Sequence, residues 1–137
     1  METTNAPIDD ACARIRRILD RHPTIRLALL FGSLARGTAR PESDLDLAVE
    51  GRQPLSTSEK MALIRDLAGA FGRPVDLIDL TTAGEPPLGQ ILSCGIRIVG
   101  SNRDYARLIS RHLLEQEDFM PYRQRIIEAR RRAWIGQ

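Results

Sequence analysis

Seven consecutive residues, Ile25-Arg-Leu-Ala-Leu-Leu-Phe31, are apolar except for Arg26. A strand with two apolar alternating faces must be covered on both sides, which makes it a central strand between two packed layers. Gly32-Ser33 ends the run abruptly, and the alternation of helices and strands along the chain excludes a helix bundle. The neighbouring segments supply the covering layers. Ile8, Ala11, Ile15, Ile18 and Leu19 recur at helical spacing and predict a helix from about Ile8 to Asp20, with Asp9 and Asp10 at its positive end and His22-Pro23 as its stop.

After Gly32, Ser33–Arg36 is expected to form one short helical turn closed by Gly37, and residues 40–43 a turn. Asp44–Val49 alternates, with Leu45, Leu47 and Val49 on one face and Asp44, Asp46 and Ala48 on the other. Ser56-x-x-Glu59 is a capping box opening a helix to Phe71, with Ile64, Leu67, Ala68 and Phe71 as its apolar stripe and Gly72 as its stop. Pro74–Leu80 reads as a third strand, Leu88–Ser93 as a short helix and Ile96–Val99 as a last strand. From Asp104 the pattern is helical again, broken at Pro121, with a basic C-terminal helix over about 121–134. Strands alternating with helices indicate a sheet with helices packed on it.

With 137 residues, 42% of them hydrophobic, a single domain over residues 1–137 is expected. Net charge is only +2, which argues against a polycation that coats nucleic acid. No run of 18 apolar residues exists to cross a membrane, and Met1–Asp10 lacks a basic, apolar leader. Cys12 and Cys94 are far apart, so neither a disulfide framework nor a zinc site is expected, and the setting is cytoplasmic.

The chemistry concentrates in Phe31–Asp46. On a strand, Asp44 and Asp46 point to the same side about 6.6 Å apart. Two such carboxylates repel and stay ionised only if neutralised, and their hard oxygens suit Mg²⁺. Alone, the pair is also what the acidic face of a solvated strand looks like. Gly32-Ser33 changes the balance, because a glycine permits close backbone approach and a serine at a helix start adds a hydroxyl beside free N–H groups, together an anion seat. A chance Gly-Ser-x10-Asp-x-Asp in a chain of this size arises on the order of once in a thousand. Gly32–Gly37 has the frame of a P-loop, but Thr38-Ala39 stands where lysine and serine or threonine are required, so a Walker-type ATPase is rejected.

Gly32-Ser33, ten residues and then Asp44-x-Asp46 resembles the signature of the polymerase-β-type nucleotidyltransferases. The wording GSLARGTARPESDLDLAV and the VDLIDL strand resemble the minimal nucleotidyltransferases (MNT), the antitoxins of HEPN–MNT toxin–antitoxin pairs. The resemblance spans roughly residues 8–115 and is most specific over 31–49. It implies an α+β fold, a small mixed β-sheet flanked by helices. It also implies transfer of AMP from ATP, with two Mg²⁺ ions, to a tyrosine hydroxyl of a HEPN ribonuclease toxin. Gly32 and Ser33 match the phosphate seat, and Asp44 and Asp46 match the metal-holding carboxylates. A third carboxylate comes from a later strand, where Asp76 and Asp79 both qualify and face opposite sides; the resemblance favours Asp76 as metal ligand and as the group nearest a general base. Arg36 and, less so, Arg40 read either as guanidinium forks on the triphosphate or as solvated loop arginines. Ser43 either caps its turn or donates to a phosphate.

Residues 1–101 carry 12 basic and 13 acidic side chains, whereas residues 102–137 carry 8 and 5. Arg123, Arg125, Arg130, Arg131 and Arg132 beside Trp134 form either a solvated helix face or a dock for an acidic partner. Direct nucleic-acid binding is not expected, since aromatics make up 4% of the chain. The alternatives to a protein acceptor are transfer to a small hydroxylated molecule such as an aminoglycoside, or a non-catalytic antitoxin that acts by binding.

Overall fold

The computed structural model describes residues 6–84 and 87–115. The elements follow in the order α1 (Ala6–Leu19), β1 (Ile25–Phe31), α2 (Gly32–Arg36), β2 (Leu45–Gly51), α3 (Thr57–Phe71), β3 (Val75–Asp79), α4 (Pro87–Cys94) and β4 (Ile96–Val99). A further helix, α5, covers residues 102–115. The four strands form one sheet in the order β3-β2-β1-β4. β1 runs antiparallel to both β2 and β4, while β2 and β3 are parallel, so the sheet is mixed.

β1 is central and covered on both faces, as its apolar run requires. Ala28 and Leu30 pack with Ile15, Ile18 and Leu19 of α1, with Leu45, Leu47 and Val49 of β2, and with Leu63 and Leu67 of α3. Leu27 and Leu29 point the other way, into a second cluster with Ala48, Leu80, Leu88 and Ile91 of α4, and Leu108 of α5. α1 and α3 thus cover one face, and α4 and α5 the other. On this second face the covering helices leave Asp46 and Asp76 only partly enclosed or open to solvent.

Local signals set the element ends. The Ser56 hydroxyl accepts from Glu59 N at 3.1 Å and the Glu59 carboxylate accepts from Ser56 N at 2.9 Å, completing the capping box of α3. Gly72, at φ +63, closes the same helix in the left-handed region that glycine tolerates best. α3 buries Leu63 and Leu67, whereas Ile64, Ala68 and Phe71 are only half-buried. The helix is therefore rotated by about one position from the stripe that spacing predicts. α5 begins earlier than Asp104, because the Ser101 hydroxyl accepts from Asp104 N at 3.0 Å and caps it. Among the described residues no helix is long and apolar enough to cross a membrane. The basic helix expected over 121–134, with its arginines and Trp134, lies outside the described residues.

Candidate active site

β1 delivers the chain to Gly32 beside its neighbour in the sheet, since Phe31 pairs with Asp46. Gly32 adopts φ +76, and a Cβ built there would sit 2.0 Å from Asp46 Oδ2 and 2.8 Å from Asp46 Cγ. Only glycine fits, for both reasons. α2 then starts at once, with Phe31 as its N-cap and no side-chain cap on its first turn. Ser33 lies inside that turn, not at the cap position, and Gly37 at φ +75 ends it.

Asp46 meets its second neighbour on the other side. In the parallel β2–β3 ladder Asp46 pairs with Asp76 and Leu47 with Leu77, and strand alternation puts both carboxylates on the sheet face of Ala48 and Ile78. Asp44, two residues before Asp46, is exposed just ahead of β2, and Asp76 is exposed as well. Burial raises the Asp46 carboxyl above the usual aspartate range. The charges of Asp76 and Asp44 push it the same way, and Arg36 draws it partly back.

Asp79 serves a different purpose. It is 6% exposed, its Oδ2 accepts from Leu55 N and its Oδ1 from Thr81 N, each at 2.9 Å. It ties the approach to α3 to the end of β3, on the side of the strand opposite Asp76. Asp79→Ala should lower stability by about 2 kcal/mol in urea unfolding, because two amides lose their acceptor. Asp76→Ala, on an exposed side chain, should move it by less than about 0.5 kcal/mol. Equal losses in the two variants would contradict this division.

The loop between α2 and β2 is organised around residues 40–43. Ser43 N donates to Arg40 O at 2.9 Å and the Ser43 hydroxyl accepts from Arg40 N at 2.8 Å, so this hydroxyl caps the turn while its own proton stays available to donate. Arg73 Nη1 donates to the carbonyls of both Arg40 and Ser43 at 2.9 Å. Nothing in the sequence marks Arg73, because its partners are backbone oxygens some thirty residues away. His22 is used structurally, bonded to Asp66 at 2.8 Å between the end of α1 and α3.

The donor set suits a hard divalent cation: carboxylates alone, beside a glycine whose missing Cβ leaves room at Asp46 Oδ2. Among the described residues no three His, Cys, Asp or Glu side chains are gathered tightly enough to hold an ion unaided. In such sites water and substrate phosphates complete the sphere. A cleft of about 510 Å³ lies elsewhere, lined by Thr24, Arg26, Gly51, Arg52, Leu55 and Glu59. Ile25 pairs with Gly51 at that end of the β1–β2 ladder and Phe31 with Asp46 at the other, so the cleft opens at the far end of β2, roughly 16 Å along the strand from Asp46.

Comparison with known proteins finds relatives over most of the chain. The chain is 30% identical over 114 residues to the protein adenylyltransferase MntA of Shewanella oneidensis, covering 83% of this chain and 82% of that one. It superposes with a TM-score of 0.75 and 28% identity on a chain from a toxin–antitoxin crystal structure with AMP-PNP, covering 86% of this chain and 96% of that one. For a chain from the tri-AMPylated Shewanella oneidensis HEPN toxin in complex with MNT antitoxin, the values are 0.71 and 25%, with 89% and 97% covered. The family model described as polymerase beta, nucleotidyltransferase, matches residues 13–104, a span running from α1 past β4 and including Gly32, Ser33, Asp44, Asp46 and Asp76. The chain belongs to the polymerase beta nucleotidyltransferase family.

Proposed function

We propose that this chain is a protein adenylyltransferase that transfers AMP from ATP to a tyrosine hydroxyl of a HEPN-type toxin and thereby neutralises it. What supports this reading most is the close approach of Gly32 to Asp46, with Asp76 paired beside it, in a chain 30% identical to a protein adenylyltransferase. The ATP donor and the reduced state expected of Cys12 and Cys94 go with a cytoplasmic setting.

In this reading the α2 turn takes the triphosphate. Gly32 contributes a backbone without a side chain in the way, Ser33 a hydroxyl and an N–H in the uncapped first turn, and Arg36 a guanidinium beside the negative cluster. Ser43 keeps its O–H proton for a phosphate oxygen while holding the turn. Asp44, Asp46 and Asp76 would hold two Mg²⁺ ions, which when bound neutralise the triphosphate and acidify the acceptor hydroxyl. Asp76, exposed next to Asp46, would receive the tyrosine proton as the phenolic oxygen bonds to the α-phosphorus and pyrophosphate departs. The raised carboxyl of Asp46 supports the same reading: half-buried beside the charges of Asp76 and Asp44, it has a place for the counter-charge that a cation would supply.

Incubation with Mg-ATP and a co-encoded helical partner, followed by intact mass measurement, tests the proposal. The expected result is an added mass of one or more AMP units on the partner, absent with Asp44→Ala/Asp46→Ala. Neutralisation without mass change that survives the double substitution would establish a binding antitoxin instead. An unmodified partner together with an adenylylated aminoglycoside would establish a small-molecule transferase.

A further inference from the structure

Asp44 and Asp76 stand on different elements, and their relative position depends on what joins the 37–44 loop to the start of β3. Two ties do so. Leu45 N donates to Pro74 O at 2.8 Å, which starts the parallel β2–β3 pairing. One residue earlier, Arg73 Nη1 donates to Arg40 O and Ser43 O at 2.9 Å each, gripping both ends of the turn that Ser43 closes. Ser43 immediately precedes Asp44, and Arg73 lies three residues before Asp76. One half-buried guanidinium therefore spans the short gap between the two carboxylate-bearing segments.

We propose that Arg73 is a positioning residue for nucleotidyl transfer: it fixes the 40–43 turn, and hence Asp44, against the strand that carries Asp76. The proposal rests on the adenylyltransferase reading above. Its physical basis is geometric. One guanidinium nitrogen donating to two carbonyls removes the freedom of a turn that, among the described residues, otherwise makes its own internal hydrogen bonds. Asp44 is exposed and lies just outside the β2 ladder, so its backbone is held by the Leu45–Pro74 bond on one side and by this turn on the other. Three mutually repelling carboxylates favour spreading apart, and an untied Asp44 is free to do so. A cation then has to draw the loop back before it can bind, which weakens its apparent affinity.

Hydrogen exchange of the peptide spanning residues 37–46, together with titration of a fluorescent ATP analogue at varied Mg²⁺, tests the assignment on the full chain. Arg73→Ala should speed exchange of that peptide about tenfold while β1 keeps its protection. It should also raise the Mg²⁺ concentration for half-maximal nucleotide binding about tenfold. Arg73→Lys, which keeps a cationic donor on a differently shaped side chain, should restore part of both and leave an intermediate Mg²⁺ requirement. Exchange in Arg73→Ala equal to wild type, or faster exchange with an unchanged Mg²⁺ requirement, would overturn the positioning role. A wild-type chain that binds the analogue equally with and without Mg²⁺ would overturn the adenylyltransferase reading itself, and this assignment with it. If Arg73→Ala does not fold, the comparison of Arg73→Lys with wild type decides, with an intermediate Mg²⁺ requirement supporting the proposal and an unchanged one refuting it.

Discussion

Replacing Asp46 by asparagine is expected to abolish nucleotidyl transfer and to make the protein more stable. The loss should be at least about 10²–10³-fold, the order that follows removal of one preorganised charge-stabilising group at a reacting centre. The gain in stability follows from the same environment. Burial and the charges of Asp76 and Asp44 raise the Asp46 carboxyl, so its ionised form is less favourable in the folded chain than in the unfolded one. A raised acid costs nothing at pH values below the unfolded aspartate value of about 3.9, and the cost appears as pH climbs through the folded value. Asparagine keeps the shape and carries no charge. Thermal melts in EDTA should therefore show Asp46→Asn above wild type at pH 7.5, with the difference vanishing near pH 4. A variant that melts below wild type at neutral pH would mean that Asp46 is held by favourable contacts and not stored against repulsion.

That result would locate the function in a feature only half visible in the sequence. β1 and α3 are legible because their signals are local: an apolar run bounded by Gly32 for one, the Ser56–Glu59 box and Gly72 for the other. The Gly32-Ser33 and Asp44-x-Asp46 spacing is legible for the same reason, since all four residues lie on one β1–α2–β2 excursion. The sheet order β3-β2-β1-β4 is not legible, because pairing partners are chosen by contacts between distant segments. The choice between Asp76 and Asp79 turns on that pairing. Spacing alone says only that they face opposite ways, whereas the ladder sets Asp76 against Asp46 and the Leu55 and Thr81 amides claim Asp79. The face of α3 is missed by one position, Leu63 in place of Ile64, because a helix with apolar residues at neighbouring positions can rotate without changing its periodicity. Arg73 is hidden for a further reason: its acceptors are main-chain oxygens, and any residue type supplies those.

The second large effect is expected from Gly32→Ala, one methyl group at the junction of β1 and α2. The added Cβ would lie 2.0 Å from Asp46 Oδ2, 2.8 Å from its Cγ and 3.0 Å from its Cβ. The conflict involves the whole Asp46 side chain and not only its free end, so a small adjustment of one oxygen does not relieve it. Either the β1–α2 junction backs away or the carboxylate turns out of its place. In both cases Asp46 and the Gly32-Ser33 turn are displaced from each other, and a misplacement of about 1 Å at a reaction centre costs on the order of 10²-fold in rate. Stability should fall too, by about 1–3 kcal/mol, because alanine at φ +76 also carries left-handed strain. Gly72→Ala separates the two contributions. It imposes similar strain at φ +63 but meets nothing within 4 Å, so it should cost only about 1 kcal/mol. Urea unfolding of both variants, with AMP transfer scored by intact mass for Gly32→Ala, reads the difference. Wild-type transfer by a Gly32→Ala protein that has lost no more stability than Gly72→Ala would show that Asp46 has room to move, and that the close approach of Gly32 to Asp46 is not what aligns the site.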